Sequence, residues 1–248
     1  MSERPFFVGY LGVPAGLRTW LLAIAAGLVA GFGLAAWIIG VTQADPGTGA
    51  FRFDLGRQDV TGVITMEPYP ILHVSEGTEA VPAGRSILLS GGGKRGVQGR
   101  VGEGGLFLAS GQLLQRGDLD MIQVRGGQNG LAAQDGEVPA VAEEDLGRWR
   151  LAGEMCDGKC LAGAMRPGRG IAHRACANLC VVGGVPPVFV STQAVEGSEF
   201  LLLGGPDGGP LEGDLYDYMA LYIEVEGQLL RRGEMLVFLI DPDTIEVL

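Results

Sequence analysis

The octapeptide Gly-Gln-Leu-Leu-Gln-Arg-Gly-Asp at 111–118 recurs as Gly-Gln-Leu-Leu-Arg-Arg-Gly-Glu at 227–234, and each copy runs on into an apolar stretch, Met121 to Val124 and Leu236 to Ile240. Self-similarity of this kind marks two copies of one structural unit. Three shorter matches extend the repeat upstream. Gly84-Arg-Ser-Ile-Leu-Leu pairs with Gly197-Ser-Glu-Phe-Leu-Leu, Pro70-Ile-Leu-His-Val with Pro187-Val-Phe-Val-Ser, and Val60-Thr-Gly-Val with Leu151-Ala-Gly-Glu. The offset between matched positions is 113 to 117 for the later segments but only 91 for the first. The second copy therefore carries an insertion of about 25 residues after its first strand, the sort of loop on which function is grafted.

Within each copy the pattern is that of strands. Leu221, Ile223 and Val225 alternate with Tyr222, Glu224 and Glu226, which predicts one buried and one wet face. Ser86 to Leu89 and Phe200 to Leu203 are apolar throughout and bounded by glycine, which predicts strands buried on both sides. The 43 glycines are dispersed among such runs without a collagen-like period, as in turn-rich β-structure. About five short strands per copy resemble a small closed barrel of the OB kind. The expected fold is mainly β: two tandem OB-like barrels at 55–125 and 148–248, joined by an acidic Gly/Pro linker at 126–147. The Cys/His insertion falls at 156–182 of the second barrel.

Residues 19–44 carry no charge, and Trp20 to Val41 is almost continuously apolar. That run of 22 residues is long enough to cross a bilayer as a single helix and exceeds the apolar core of a cleaved signal peptide, which Thr42, Gln43 and Ala44 would otherwise suggest. Ala23, Gly27, Gly31 and Ala35 recur every four residues along one stripe, the pattern that admits close packing of a second membrane helix. Residues 1–18, with Phe6, Phe7 and Tyr10, form an expected interfacial segment. The expected arrangement is a single pass through the inner (cytoplasmic) membrane with the large domain periplasmic.

All four cysteines lie within 25 residues, in the pattern C-x3-C-x12-H-x2-C-x3-C formed by Cys156, Cys160, His173, Cys176 and Cys180. Ile171 to Val182 lacks Gly and Pro and is followed by Gly183-Gly184, which predicts a helix with His173, Cys176 and Cys180 on one face. Three chemistries fit. Thiolates and an imidazole suit tetrahedral zinc, with copper(I) or an iron–sulfur cluster as alternatives. An even cysteine count outside the cytoplasm suits disulfides, such as Cys156–Cys180 and Cys160–Cys176. A thiol tuned by His173, Arg169 or Arg174 would be reactive.

Other motifs carry little. Gly91-Gly-Gly-Lys-Arg-Gly lacks the spacing of a phosphate loop and reads as a turn; His73 reads as a partly buried strand residue. Asp207, Glu212, Asp214 and Asp217 lack EF-hand spacing and read as a solvated loop. No paired carboxylates or Ser/His/Asp set gives a catalytic residue. Beyond the first 41 residues, which hold Glu3, Arg4 and Arg18, 16 basic and 28 acidic residues remain, a net charge of −12 that repels nucleic acid. The expectation is a membrane-anchored, non-enzymatic accessory or assembly subunit bound to another integral membrane protein. The alternatives are a metal carrier or electron-transfer subunit of an envelope oxidoreductase, and a thiol-disulfide oxidoreductase.

Overall fold

The computed structural model describes residues 13–42 and 47–248. The chain divides into two units, Met1–Asp45 and Pro46–Leu248. Among its described residues the first contains one helix, α1 (Ala15–Thr42), whose apolar length of 27 residues, Ala15–Val41, is enough to cross a membrane. It begins four residues before the expected position 19, directly after Pro14, whose fixed φ suits a helix start. Arg18 is thus inside the helix, its Nε donating to the Val13 carbonyl at 3.2 Å. Ala23, Gly27, Gly31 and Ala35 lie along one side, and a Cβ placed on Gly27 or Gly31 would meet nothing within 4 Å. Phe6, Phe7, Tyr10, Gln43 and Ala44 lie outside the described residues.

The second unit is mainly β and holds two closed five-stranded barrels in tandem. The first begins with an edge piece, β1 (Ala50–Phe51), and continues as β2 (Arg57–Thr65), β3 (Ile71–Glu76) and β4 (Ser86–Ser90). A one-turn helix, α2 (Gln98–Val101), precedes β5 (Gly105–Arg116), β6 (Leu119–Val124) and the short β7 (Leu131–Ala133). Pairing closes in the order β2-β3-β4-β6-β5-β2, antiparallel except for β4–β6. The second barrel repeats this with β8 (Glu143–Asp157), β9 (Pro187–Val195), β10 (Ser198–Gly204), β11 (Tyr222–Arg232) and β12 (Met235–Ile240). Its order is β8-β9-β10-β12-β11-β8, with β10–β12 parallel and β13 (Glu246–Val247) on the edge of β11. Between β8 and β9 sits the insertion, which includes α3 (Arg174–Val182).

Side-chain alternation explains why some strands are apolar throughout. In β4, Ile87 and Leu89 point into the first barrel with Leu72, Leu113 and Ile122, while Leu88 points the other way. In β10, Leu201 and Leu203 join Phe189 and Phe238 inside the second barrel, while Phe200 and Leu202 point outward. The outward residues meet. Ile71, Leu88 and Met121 of the first barrel share one buried cluster with Val188, Leu202 and Val237 of the second. Each such side chain contributes roughly 1.5–3 kcal/mol by leaving water, so the barrels fold against one another as one body. This alternation corrects the sequence matching by one residue: the counterpart of Ile87 is Leu201, not Phe200, because a slip of one would turn the strand inside out.

The expected linker at 126–147 narrows to 134–142. Leu131–Ala133 forms β7 on the edge of β5, and β8 already starts at Glu143. Glu143 and Glu144 read as linker because they are acidic, yet they sit opposite Arg232 and Arg231 across β8–β11, with ion pairs of 2.6 and 3.5 Å.

His73, on β3, is half-buried at the seam between the barrels. Its ring nitrogens lie 3.0 Å from Thr65 Oγ1 and 2.9 Å from Ser86 Oγ, and the β11–β12 turn at Gly233 packs over it. Burial, with a smaller contribution from Arg232, lowers its pKa from 6.5 to about 4. Arg232 is itself paired with Glu143. The unfolded chain takes up a proton on His73 as pH drops below its ordinary value and the folded chain does not, so this stabilisation is complete above pH ~6.5 and lost by pH ~4. The loss is expected to be about 2 kcal/mol, discounted for the partial exposure of the ring. Urea midpoints measured from pH 7.5 down to 4.5 should fall more steeply in the wild type than in H73Q; parallel curves would show that His73 is not responsible.

Candidate metal centre

The insertion starts beyond the expected position 156, because β8 runs on to Asp157. Pairing with β9 continues to Cys156↔Val188 and Asp157↔Pro187, so alternation sends Cys156 and Asp157 to opposite sides. Cys156 enters the apolar cluster between the barrels, with Met121, Leu161 and Val188, and its thiol donates to Glu154 Oε1 at 3.4 Å. Burial, then the Glu154 carboxylate, pushes this thiol well above its ordinary pKa, so it is an inert sulfur. Asp157 turns toward the insertion. Its Oδ1 accepts the Cys160 N–H at 2.8 Å, the bond by which an Asp starts a helical turn. Cys160 then opens a wide helical turn, Cys160–Ala164, rather than lying in a loose loop.

The return segment is held by Glu154, whose side chain is 2% exposed; it accepts from Arg169 Nε at 3.2 Å and from the Gly170 N–H. A 3-10 turn, Ile171–His173, leads into α3 as the helix pattern predicts. Cys160, Cys176 and Cys180 then bring three sulfurs within 4.8 Å of one another, and Asp157, Cys160 and His173 form a second group by the same measure. The Cys160–Cys176 separation is 3.9 Å. Ligand sulfurs about 2.3 Å from a tetrahedral zinc are about 3.8 Å apart, whereas a disulfide is about 2.05 Å. These residues can hold a metal ion.

Two sequence expectations are thereby corrected. Cys156 belongs to neither donor group, because β8 extends through it and faces it away. All four cysteines are free thiols, so neither Cys156–Cys180 nor Cys160–Cys176 is bonded. His173 approaches through Asp157, its Nε2 lying 2.9 Å from Asp157 Oδ2 with both side chains at most 3% exposed.

Several residues of the site escaped the sequence. Lys94, in the Gly91–Gly96 turn of the first barrel, places Nζ 2.6 Å from Cys176 Sγ and 3.8 Å from Cys180 Sγ. In the opposite direction Lys159, 3% exposed, donates to the Gly91 and Gly93 carbonyls at 2.6 and 2.7 Å. The contact with Cys176 raises the pKa of Lys94, and burial lowers that of Lys159. The neighbouring Cys180 sulfur, together with burial, pushes the Cys160 thiol up, and the same proximity, helped by Lys94, pulls Cys180 down.

The two barrels meet backbone to backbone here. Gly96 N–H donates to the Gly183 carbonyl at 2.8 Å, and a Cβ on Gly183 would come within 1.9 Å of the Lys94 carbonyl oxygen. Gly183 has φ −76°, so space rather than conformation requires glycine; the left-handed residue that ends α3 is Gly184, at φ +88°. G183A should therefore destabilise the body by about 1–3 kcal/mol. G92A, whose Cβ would meet nothing within 4 Å, should be nearly neutral in the same denaturation experiment; equal effects would remove the steric explanation.

The Gly91–Gly96 turn is followed by α2, which is too short to bind phosphate, so the turn serves as a bracket for the insertion. The acidic residues Asp207, Glu212 and Asp214 line an open cleft with Pro206 and Asp243 and belong to neither donor group. No family model matches this chain, and neither curated proteins nor solved structures contain a match.

Proposed function

We propose that the protein is a membrane-anchored accessory or assembly subunit whose insertion binds a thiophilic metal ion, zinc in the first place, through Cys160, Cys176, Cys180 and the neighbouring His173 or Asp157. The convergence of three sulfurs within 4.8 Å carries this reading. Donors of this type, three of them soft, fit zinc in a site with four protein ligands, and such sites hold structure. The anchor is α1, with the barrels on the periplasmic face of an inner membrane. Its small-residue stripe, where Gly27 and Gly31 leave open space, suits close approach by a helix of another integral membrane protein.

The test is elemental analysis of the full chain purified in mild detergent, together with its composition by native mass measurement. Stoichiometric zinc and a co-purifying integral membrane protein support the proposal. Stoichiometric copper or iron instead favours a carrier or electron-transfer subunit. Absence of any metal, with all thiols titratable, overturns the metal reading; a lone monomer overturns the accessory reading.

A further inference from the structure

We infer that Lys94, a residue of the first barrel, is the gate of the metal centre in the second: its ammonium covers the least sheltered edge of the sulfur trio, at Cys176, and sets how fast an ion enters and leaves. The inference rests on the metal reading above. The three sulfurs are not equally sheltered. Cys160 and Cys180 are 5% and 2% exposed, while Cys176 is only half-buried. On the inner side stand Asp157, His173 and Val185, at 0%, 4% and 0% exposure. An ion arriving from that side would have to displace packed backbone.

On the Cys176 side the cover is a side chain. Lys94 Nζ lies 2.6 Å from Cys176 Sγ, 3.4 Å from the Cys176 carbonyl and 3.8 Å from Cys180 Sγ, and the residue itself is exposed. Its main chain is fixed from three directions: Lys159 bonds the Gly91 and Gly93 carbonyls, Gly96 bonds Gly183, and Gln98 Nε2 donates to the Gly184 carbonyl at 2.7 Å. The bracket thus stays in place while the lysine stem rotates. Charge gives the rotation a purpose. Three thiolates around a divalent ion leave a net negative charge, which an ammonium offsets, and lysine is a point charge on a flexible stem, suited to a reversible cover. A cation approaching the sulfurs, or leaving them, must pass this ammonium.

The experiment loads the full-length chain, in mild detergent, with zinc alone and follows its transfer to an excess of chromogenic chelator, for wild type, K94A, K94M and K94R. In parallel, alkylation of Cys176 is timed by mass analysis in the metal-free proteins, with the thermal midpoint as a folding control. K94A and K94M should bind zinc stoichiometrically and release it about ten- to a hundredfold faster, the range over which groups outside the ligand set alter a metal site. K94R should stay near wild type, and Cys176 should be alkylated faster in K94A and K94M. Release from K94A and K94M at the wild-type rate overturns the gate while leaving the metal reading intact. Failure of folded K94A and K94M to bind zinc also overturns it, since Lys94 would then build the site rather than cover it. A wild type that binds no zinc overturns the metal reading and the gate with it.

Discussion

Replacing Cys160 with alanine is expected to abolish stoichiometric zinc binding, weakening affinity more than a hundredfold, whereas replacing Cys156 leaves binding unchanged. Cys160 is the one sulfur common to both donor groups, so its loss dismantles each. A structural zinc site contributes roughly 10–16 kcal/mol shared among four ligands, so one ligand is worth about 3 kcal/mol, or more than a hundredfold. Cys156 sits in the apolar cluster between the barrels, and C156A should lower the thermal midpoint slightly without touching the metal. Competition with a chelator of known affinity, run on both variants, decides the matter. Equal losses for C156A and C160A would mean that the insertion rearranges when it binds an ion.

The second large effect is expected at Asp157. Its side chain is fully buried and holds two groups at once, the Cys160 N–H at 2.8 Å and His173 Nε2 at 2.9 Å. D157A strands both in a dry environment, and breaking one half of such a buried pair costs about 3–5 kcal/mol. D157N retains an oxygen for the Cys160 N–H and should lose less. Zinc affinity should fall further in D157A than in D157N, because the carboxylate also orients the imidazole. Denaturant midpoints and chelator competition measure the two effects; a D157A protein as stable as wild type would show that the pair does not hold the insertion.

Much of this architecture could be read in advance because its causes are local. The repeated octapeptide, the alternation at Ile223 and Val225 and the doubly buried runs at Ser86–Leu89 and Phe200–Leu203 are each imprinted on a few adjacent residues, and the strands form where these place them. So does α3, whose stop signal at Gly183-Gly184 is equally local. What failed depended on distant partners. Whether β8 ends before or after Cys156 is decided by pairing with Val188 and Pro187, and two residues of extra strand moved a sulfur from the site to the core. Lys94 lies 82 residues from Cys176 in sequence, in a turn that carries no mark of its destination. Asp157 had a local signal, an Asp three residues before a helical turn, which the cysteine spacing overshadowed.

Equivalent strands of the two copies line the shared cluster, Ile71 with Val188, Leu88 with Leu202, Met121 with Val237. Reciprocal loops cross over as well: the turn after β4 grips the insertion, and the one after β10 reaches Tyr69, whose hydroxyl takes the Leu211 N–H at 3.1 Å. Such an arrangement has the self-complementary character of an isologous dimer written into one polypeptide. A true homodimer must alter both members together, so any loop it acquires is mirrored on the opposite side. Fusion lifts that constraint. One half is free to keep the plain hairpin from Thr65 to Ile71, and the other to grow a sulfur-bearing arm that its sibling clasps.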